Sequence, residues 1–119
     1  MLTTGVDIIE LARVQHVLDR FGERFLHKVY TAREIALCRG RAPELAVRFA
    51  GKEAISKALG TGLNGILWAE MEILADERGK PYVILHGHAL ARAQTLGLSE
   101  WAISLSHSDH DAIAMVVAQ

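Results

Sequence analysis

One cysteine, Cys38, stands alone in 119 residues, so no disulfide can form within the chain. That absence sets aside the disulfide-stapled class and suits a reducing cytoplasm. No apolar run approaches the roughly 20 residues needed to cross a bilayer, and the first residues do not follow a signal-peptide pattern. No membrane partner is therefore expected. Repeats, low-complexity tracts and dividing linkers are missing as well, so residues 1–119 read as a single domain. The glycine loop Gly60–Gly65 follows a helix and contains no Gly-Lys-Ser/Thr, which excludes a Walker phosphate loop. Ser106 and His107 are adjacent rather than spaced as a triad, and Cys38 has no evident base partner, so nucleophilic catalysis finds little support. His86-Gly87-His88 and His107-Ser108-Asp109-His110-Asp111 lack a familiar zinc spacing. Of these, His107 keeps interest because it closes an apolar run and precedes a polar turn.

Half of the residues are apolar, enough for a packed core, and the net charge is −1. That near-neutral total hides an uneven distribution. Arg13 to Lys57 holds ten basic and five acidic residues, whereas the remainder holds three basic and nine acidic. The basic half favours an acidic ligand or partner, or is a solvated helical face. Nucleic acid is not expected, because the balance is not basic overall and no aromatic–basic stacking platform is present.

Thr4–Ile9 reads as a strand, followed by a helix whose stripe is Val14, Val17, Leu18 and Phe21 and which ends near Gly22. Arg13, Arg20 and Arg24 lie along its outer face or just beyond it. Thr31-Ala32-Arg33-Glu34 is a capping box, with Tyr30 and Ile35 placed as its hydrophobic staple, opening a short helix to about Cys38. A long helix runs from about Glu44 to Leu59 and stops at Gly60. Met71–Ala75 and Tyr82–Leu85 form a hairpin around Asp76–Pro81, with Glu70 and Glu72 alternating against Met71 and Ile73. A helix over Ala89–Leu96 and a hairpin of Trp101–Ser106 with Ala112–Val117 complete the pattern. Hairpin strands with helices on one side predict an α+β domain around an antiparallel sheet.

On the long helix, Glu53, Ser56 and Lys57 share a face at helical spacing. Glu53 and Lys57 can be an ordinary i, i+4 ion pair, or part of a site. Asp7 interrupts the apolar strand; it is either a helix cap or a carboxylate that needs a partner. If Asp7 and Glu53 meet, two carboxylates beside a lysine suit a hard divalent cation and a phosphate.

Taken in order, Gly5-Val6-Asp7-Ile8, Arg48-Phe49-Ala50-Gly51-Lys52-Glu53-Ala54 with Ser56-Lys57-Ala58, Gly60-Thr61-Gly62, Gly79-Lys80-Pro81 and Ser104-Leu105-Ser106-His107-Ser108 span nearly the whole chain. This set resembles the short bacterial 4′-phosphopantetheinyl transferases, the holo-[acyl-carrier-protein] synthase family. The resemblance implies the transferase fold and Mg²⁺-dependent transfer of 4′-phosphopantetheine from coenzyme A to a serine of apo-acyl-carrier protein, in support of fatty acid biosynthesis. It implies Asp7 and Glu53 as metal ligands, Glu53 and Lys57 as catalytic residues, and Lys57 on the phosphates. Arg48, Gly60 and Gly79-Lys80-Pro81 are implied near the nucleotide end of the coenzyme, with His107 near its phosphates. Arg13, Arg20, Phe21 and Arg24 are implied to dock the acidic carrier, and the chain to form a homotrimer with active sites between subunits. The small face around Ser104 and Ser106 is compatible with such an assembly. Two positions depart from the family pattern: Thr3 and Gly51 stand where glycine and alanine are common. A non-catalytic basic module docking an acidic protein is the competing reading.

Overall fold

The computed structural model describes residues 1–119. In chain order the elements are β1 (Thr3–Glu10), α1 (Leu11–Phe21), α2 (Glu23–Val29), α3 (Ala32–Cys38), α4 (Ala42–Ala58), a 3-10 turn (Trp68–Glu70), β2 (Met71–Ala75), β3 (Pro81–Leu85), α5 (Gly87–Leu96), β4 (Trp101–His107) and β5 (Asp111–Ala118). The fold is α+β and every strand pairing is antiparallel. The strands divide into a three-stranded sheet of order β1-β5-β4 and a separate β2-β3 hairpin.

Helix α4 lies across β1 and β5 and organises the molecule. Ala50, Ala54 and Ala58 recur every four residues and are all buried, forming a smooth stripe toward the sheet. The sheet answers with small residues of its own, Gly5 on β1 and Ala112, Ala114 and Ala118 on β5. A Cβ at Gly5 would overlap the carbonyl oxygen of Ala54, so glycine is what lets β1 come this close. Ile55, Leu59, Met71, Ile73 and Ile103 fill the core between helix, sheet and hairpin. A second cluster, including Val14, Val29, Tyr30, Leu45 and Ala112, seats α1 to α3 on the N-terminal half of α4.

The capping box forms as expected: Thr31 Oγ1 accepts from the Glu34 amide and Glu34 accepts from the Thr31 amide. Tyr30 is buried beside it and donates its hydroxyl to the Leu45 carbonyl. Three local expectations are corrected. A separate helix, α2, follows Gly22, so Arg24 sits on a second helix; the Phe25-Leu26 and Val29 spacing carries its apolar side. Helix α4 begins two residues early because Pro43 falls in its first turn, where a backbone N–H would have no intrahelical acceptor and its absence costs nothing. On β2, Glu72 is not a solvent-facing residue: it is 1% exposed and held by Thr31, Arg33 and His86. The helix α3 side covers what alternation alone assigns to water.

The densest polar knot lies here as well. Lys52 is fully buried and donates to Glu34 Oε1 at 2.7 Å and to the carbonyls of Met71 and Trp68. Glu34 in turn accepts from the Ile73 amide. Burial of the ammonium group lowers the Lys52 pKa, while Glu34 opposes that shift. The pair ties α3, α4 and β2 together one residue from Glu53.

Candidate active site

Asp7 and Glu53 meet at the seam between β1 and α4. Alternation along β1 turns Gly5 and Asp7 toward the helix, and the close approach at Gly5 brings Asp7 beside the α4 face that carries Glu53. Asp7 therefore does not cap a helix; it lies within β1, opposite Ala114 of β5. Lys57 donates to Asp7 Oδ1 at 3.1 Å and to the Val6 carbonyl at 2.9 Å. Its ion pair is with the strand, not with Glu53 one turn away. Ser56 is not part of this face: it is fully buried, with its hydroxyl donating to the Glu53 carbonyl.

Glu53 is half-buried, and no hydrogen-bond donor is directed at its carboxylate. Burial raises its pKa first and the neighbouring Asp7 charge raises it further, with Lys57 opposing. Two anions held together with incomplete compensation make a place where a cation gains. No three His, Cys, Asp or Glu side chains converge anywhere in the chain. An ion here takes two protein carboxylates and needs water or substrate oxygens for the rest, which matches the habit of Mg²⁺. The donor set fits that metal.

A groove of about 480 Å³ opens from the carboxylates. Asp7, Glu53, Arg13 and Lys28 supply its polar edge, and Val17, Phe25, Phe49 and Trp68 are among its apolar walls. Phe49 stacks on Trp68 with ring centroids 4.8 Å apart. Lys28, Phe25 and Trp68 escaped the sequence reading because their spacing from Glu53 follows only from the α2 packing; the basic half-chain was the one signal for Lys28. Arg13, Arg20 and Arg24 are exposed and form no ion pair with an acidic side chain. The Arg20 guanidinium lies 5.2 Å from the centroid of Phe21, itself 44% exposed.

Four of the other expected residues gather elsewhere. Arg48, Gly79, Pro81 and His107 line a second groove, of about 260 Å³, with Glu44, Val47 and Leu105. Arg48 is buried, with Nε donating to the Ile73 carbonyl and Nη1 to Glu44, while Nη2 has no hydrogen-bond partner in the chain. Lys80 is exposed in the β2–β3 turn outside the groove lining. Gly60 (φ 76°) ends α4 beside Lys57, twelve residues or roughly 18 Å of helix from Arg48. On the helical wheel Glu53 and Arg48 point about 140° apart. Within one chain the two sets of residues are thus on different flanks of α4.

The model of the 4′-phosphopantetheinyl transferase superfamily matches residues 3–114. The chain belongs to that superfamily. It is 48% identical to the holo-[acyl-carrier-protein] synthase of Herpetosiphon aurantiacus, over 98% of both chains. With the holo-[acyl-carrier-protein] synthase of Dehalococcoides mccartyi it shares 50% identity, over 100% of this chain and 99% of that one. The solved structure of the Helicobacter pylori holo-[acyl-carrier-protein] synthase in complex with coenzyme A superposes with a TM-score of 0.90 at 30% identity, covering 98% of this chain and 99% of the other.

Both departures from the family pattern have a structural partner. The Thr3 hydroxyl donates to the Ala58 carbonyl at 2.9 Å, fastening β1 to the last turn of α4. A Cβ at Gly51 would lie 2.5 Å from Ile73 Cδ1, so in this chain the isoleucine occupies the room an alanine would take.

Proposed function

We propose that this chain transfers 4′-phosphopantetheine from coenzyme A to a serine hydroxyl of an apo-acyl-carrier protein, releasing adenosine 3′,5′-bisphosphate. The observation that carries the proposal is the meeting of Asp7 and Glu53 beside Lys57, in a chain about half identical to holo-[acyl-carrier-protein] synthases. The serine oxygen attacks the phosphorus that bears the pantetheine, and the bond from that phosphorus to the bridging oxygen breaks. Asp7 and Glu53 would hold Mg²⁺, which when bound neutralises charge developing on the phosphoryl and leaving oxygens. Lys57 uses two of its three donors on Asp7 and Val6, leaving the third for a phosphate oxygen. Glu53 accepts the serine proton at a carboxylate whose proton affinity burial has already raised.

The coenzyme's nucleotide end is assigned to the Arg48–His107 groove and its phosphates to Lys57. Since these lie on different flanks of α4, one coenzyme engages both through two copies of the chain. The outer sheet face supports such an assembly: Val6 and Ile8 of β1 pair with Met115 and Ile113 of β5, and all four are exposed. The active unit is accordingly a homotrimer of one-domain chains with its sites between subunits. Arg13, Arg20, Phe21 and Arg24 present an unpaired basic surface to the acidic carrier. No helix is long and apolar enough to cross a membrane, and a cytoplasmic setting and a role in fatty acid biosynthesis agree with this reading.

Incubation with coenzyme A, Mg²⁺ and apo-acyl-carrier protein should add one phosphopantetheine to the carrier, read by intact mass. Failure with every carrier tried, together with no binding of coenzyme A, would overturn the proposal. Carrier binding without transfer, indifferent to Mg²⁺ and to Asp7→Ala, would favour the non-catalytic module instead.

A further inference from the structure

We infer that Lys52 is a positioning residue for the carrier's side of the active groove: it pins both ends of a row of aromatic rings beside Glu53. The inference rests on the carrier meeting α1 and α2, as proposed above. The row runs Tyr30, Phe25, Phe49, Trp68. Phe25 meets Tyr30 edge-on with centroids 5.7 Å apart and lies 6.3 Å from Phe49, which stacks on Trp68 at 4.8 Å. Phe25, Phe49 and Trp68 line the groove of about 480 Å³ that opens at Asp7 and Glu53. At one end of the row the Lys52 ammonium lies over the Tyr30 ring, 5.6 Å from its centroid. At the other end it donates to the Trp68 carbonyl at 3.2 Å.

Lys52 has no capacity left for chemistry of its own. Its three protons go to Glu34 Oε1, the Met71 carbonyl and the Trp68 carbonyl, and its side chain is wholly buried. It neither donates to a substrate nor reaches the groove, so its effect on transfer passes through the groups it holds. Trp68 needs such a hold. It follows a loop in which Gly60, Gly62 and Gly65 all have positive φ, and it is half-buried where the two core clusters meet. A buried ion pair gives little net stability over an apolar pair of the same volume. What this one contributes is direction, through three acceptors at fixed places. Arg13 and Lys28, the cations on the groove's edge, stand on α1 and α2, whereas the coenzyme is assigned to Lys57 and the far flank of α4. The aromatic row is therefore on the carrier's side of the reaction.

The test measures KM for each substrate separately in the transfer assay. It uses Lys52→Met and also Lys52→Met/Glu34→Gln, which removes the carboxylate charge otherwise left buried alone. Carrier KM should rise about tenfold, with coenzyme A KM within about twofold of wild type. Trp68→Leu should give the same split, and adding it to either variant should raise carrier KM no further, because both changes break one chain of contacts. In a Trp101→Phe background Trp68 is the one tryptophan, and acrylamide should quench its fluorescence more strongly once Lys52 is replaced. Unchanged quenching, a rise in both KM values alike, or effects of Lys52 and Trp68 that multiply would overturn the inference. So would loss of the wild-type circular dichroism spectrum in both Lys52 variants, which makes the residue a fold determinant only. Absence of transfer in the wild-type chain overturns the underlying reading and the carrier's part in this one; the quenching arm, which needs no substrate, tells that failure from a failure of the Lys52–Trp68 link.

Discussion

Single residues in this protein act through what is set against them. Lys57 reads from sequence as an i, i+4 partner of Glu53, yet its ammonium crosses to Asp7 and Val6 because β1 lies closer than one helical turn suggests. Glu53 is left without a donor, and that vacancy is what makes it chemically useful. Glu72 shows the opposite arrangement. Burial alone would raise its pKa, but hydrogen bonds from Arg33, Thr31 and His86 prevail and bring it down to about 2 from 4.5. A depressed folded pKa contributes stability that is complete above pH 4.5 and is lost as pH falls toward 2. Glu72→Gln should therefore cost up to about 3 kcal/mol at neutral pH, with the gap to wild type closing between pH 4.5 and 2. Urea titrations across that range would check it; a gap that does not change with pH would contradict the ion-pair account.

At the scale of elements, the sequence pattern was informative wherever a signal was local. The capping box at Thr31–Glu34, the strand around Asp7, the long helix ending at Gly60 and the two hairpins all depend on neighbours within a few residues, and each forms. Signals that depend on distant packing were hidden. Helix α2 has seven residues, too few for periodicity to declare itself, and Glu72 alternates like a surface residue although α3 covers it. In the site, Asp7 and Glu53 were legible as candidates, while the groove walls from α2 and Trp68 were not. The β1–α4 seam is the element contact on which the site depends. Gly5→Ala would drive a methyl group into the Ala54 backbone, with no flexible side chain to yield, and should destabilise by about 3 kcal/mol. Gly51→Ala meets side-chain tips rather than backbone, chiefly Ile73 Cδ1 at 2.5 Å with Ile103 Cδ1 at 3.3 Å, so its cost should be about 1 kcal/mol and should be mostly recovered in the Gly51→Ala/Ile73→Val double variant. Thermal melts of the three variants distinguish backbone overlap from side-chain crowding.

For the whole molecule, two surfaces remain to be covered. The apolar face of the three-stranded sheet exposes Val6, Ile8, Ile113 and Met115 together, a patch that favours burial against another copy. On the proposed homotrimer, Met115→Glu should yield smaller species than the wild-type chain in sedimentation velocity, and transfer should fall with it; full activity as a monomer would contradict a site shared between copies. On the proposed function, the basic surface of α1 and α2 is the dock for the acidic carrier. Reversing Arg20 and Arg24 to Glu should raise KM for the carrier roughly tenfold, leave KM for coenzyme A near its wild-type value, and flatten the salt dependence. The most direct measurement for the account as a whole is the intact mass of apo-acyl-carrier protein after incubation with coenzyme A, Mg²⁺ and the Glu53→Ala chain. The wild-type chain should add one phosphopantetheine, whereas Glu53→Ala, with an unchanged circular dichroism spectrum, should leave the carrier unmodified. Transfer by Glu53→Ala at the wild-type rate would contradict the Asp7–Glu53 site.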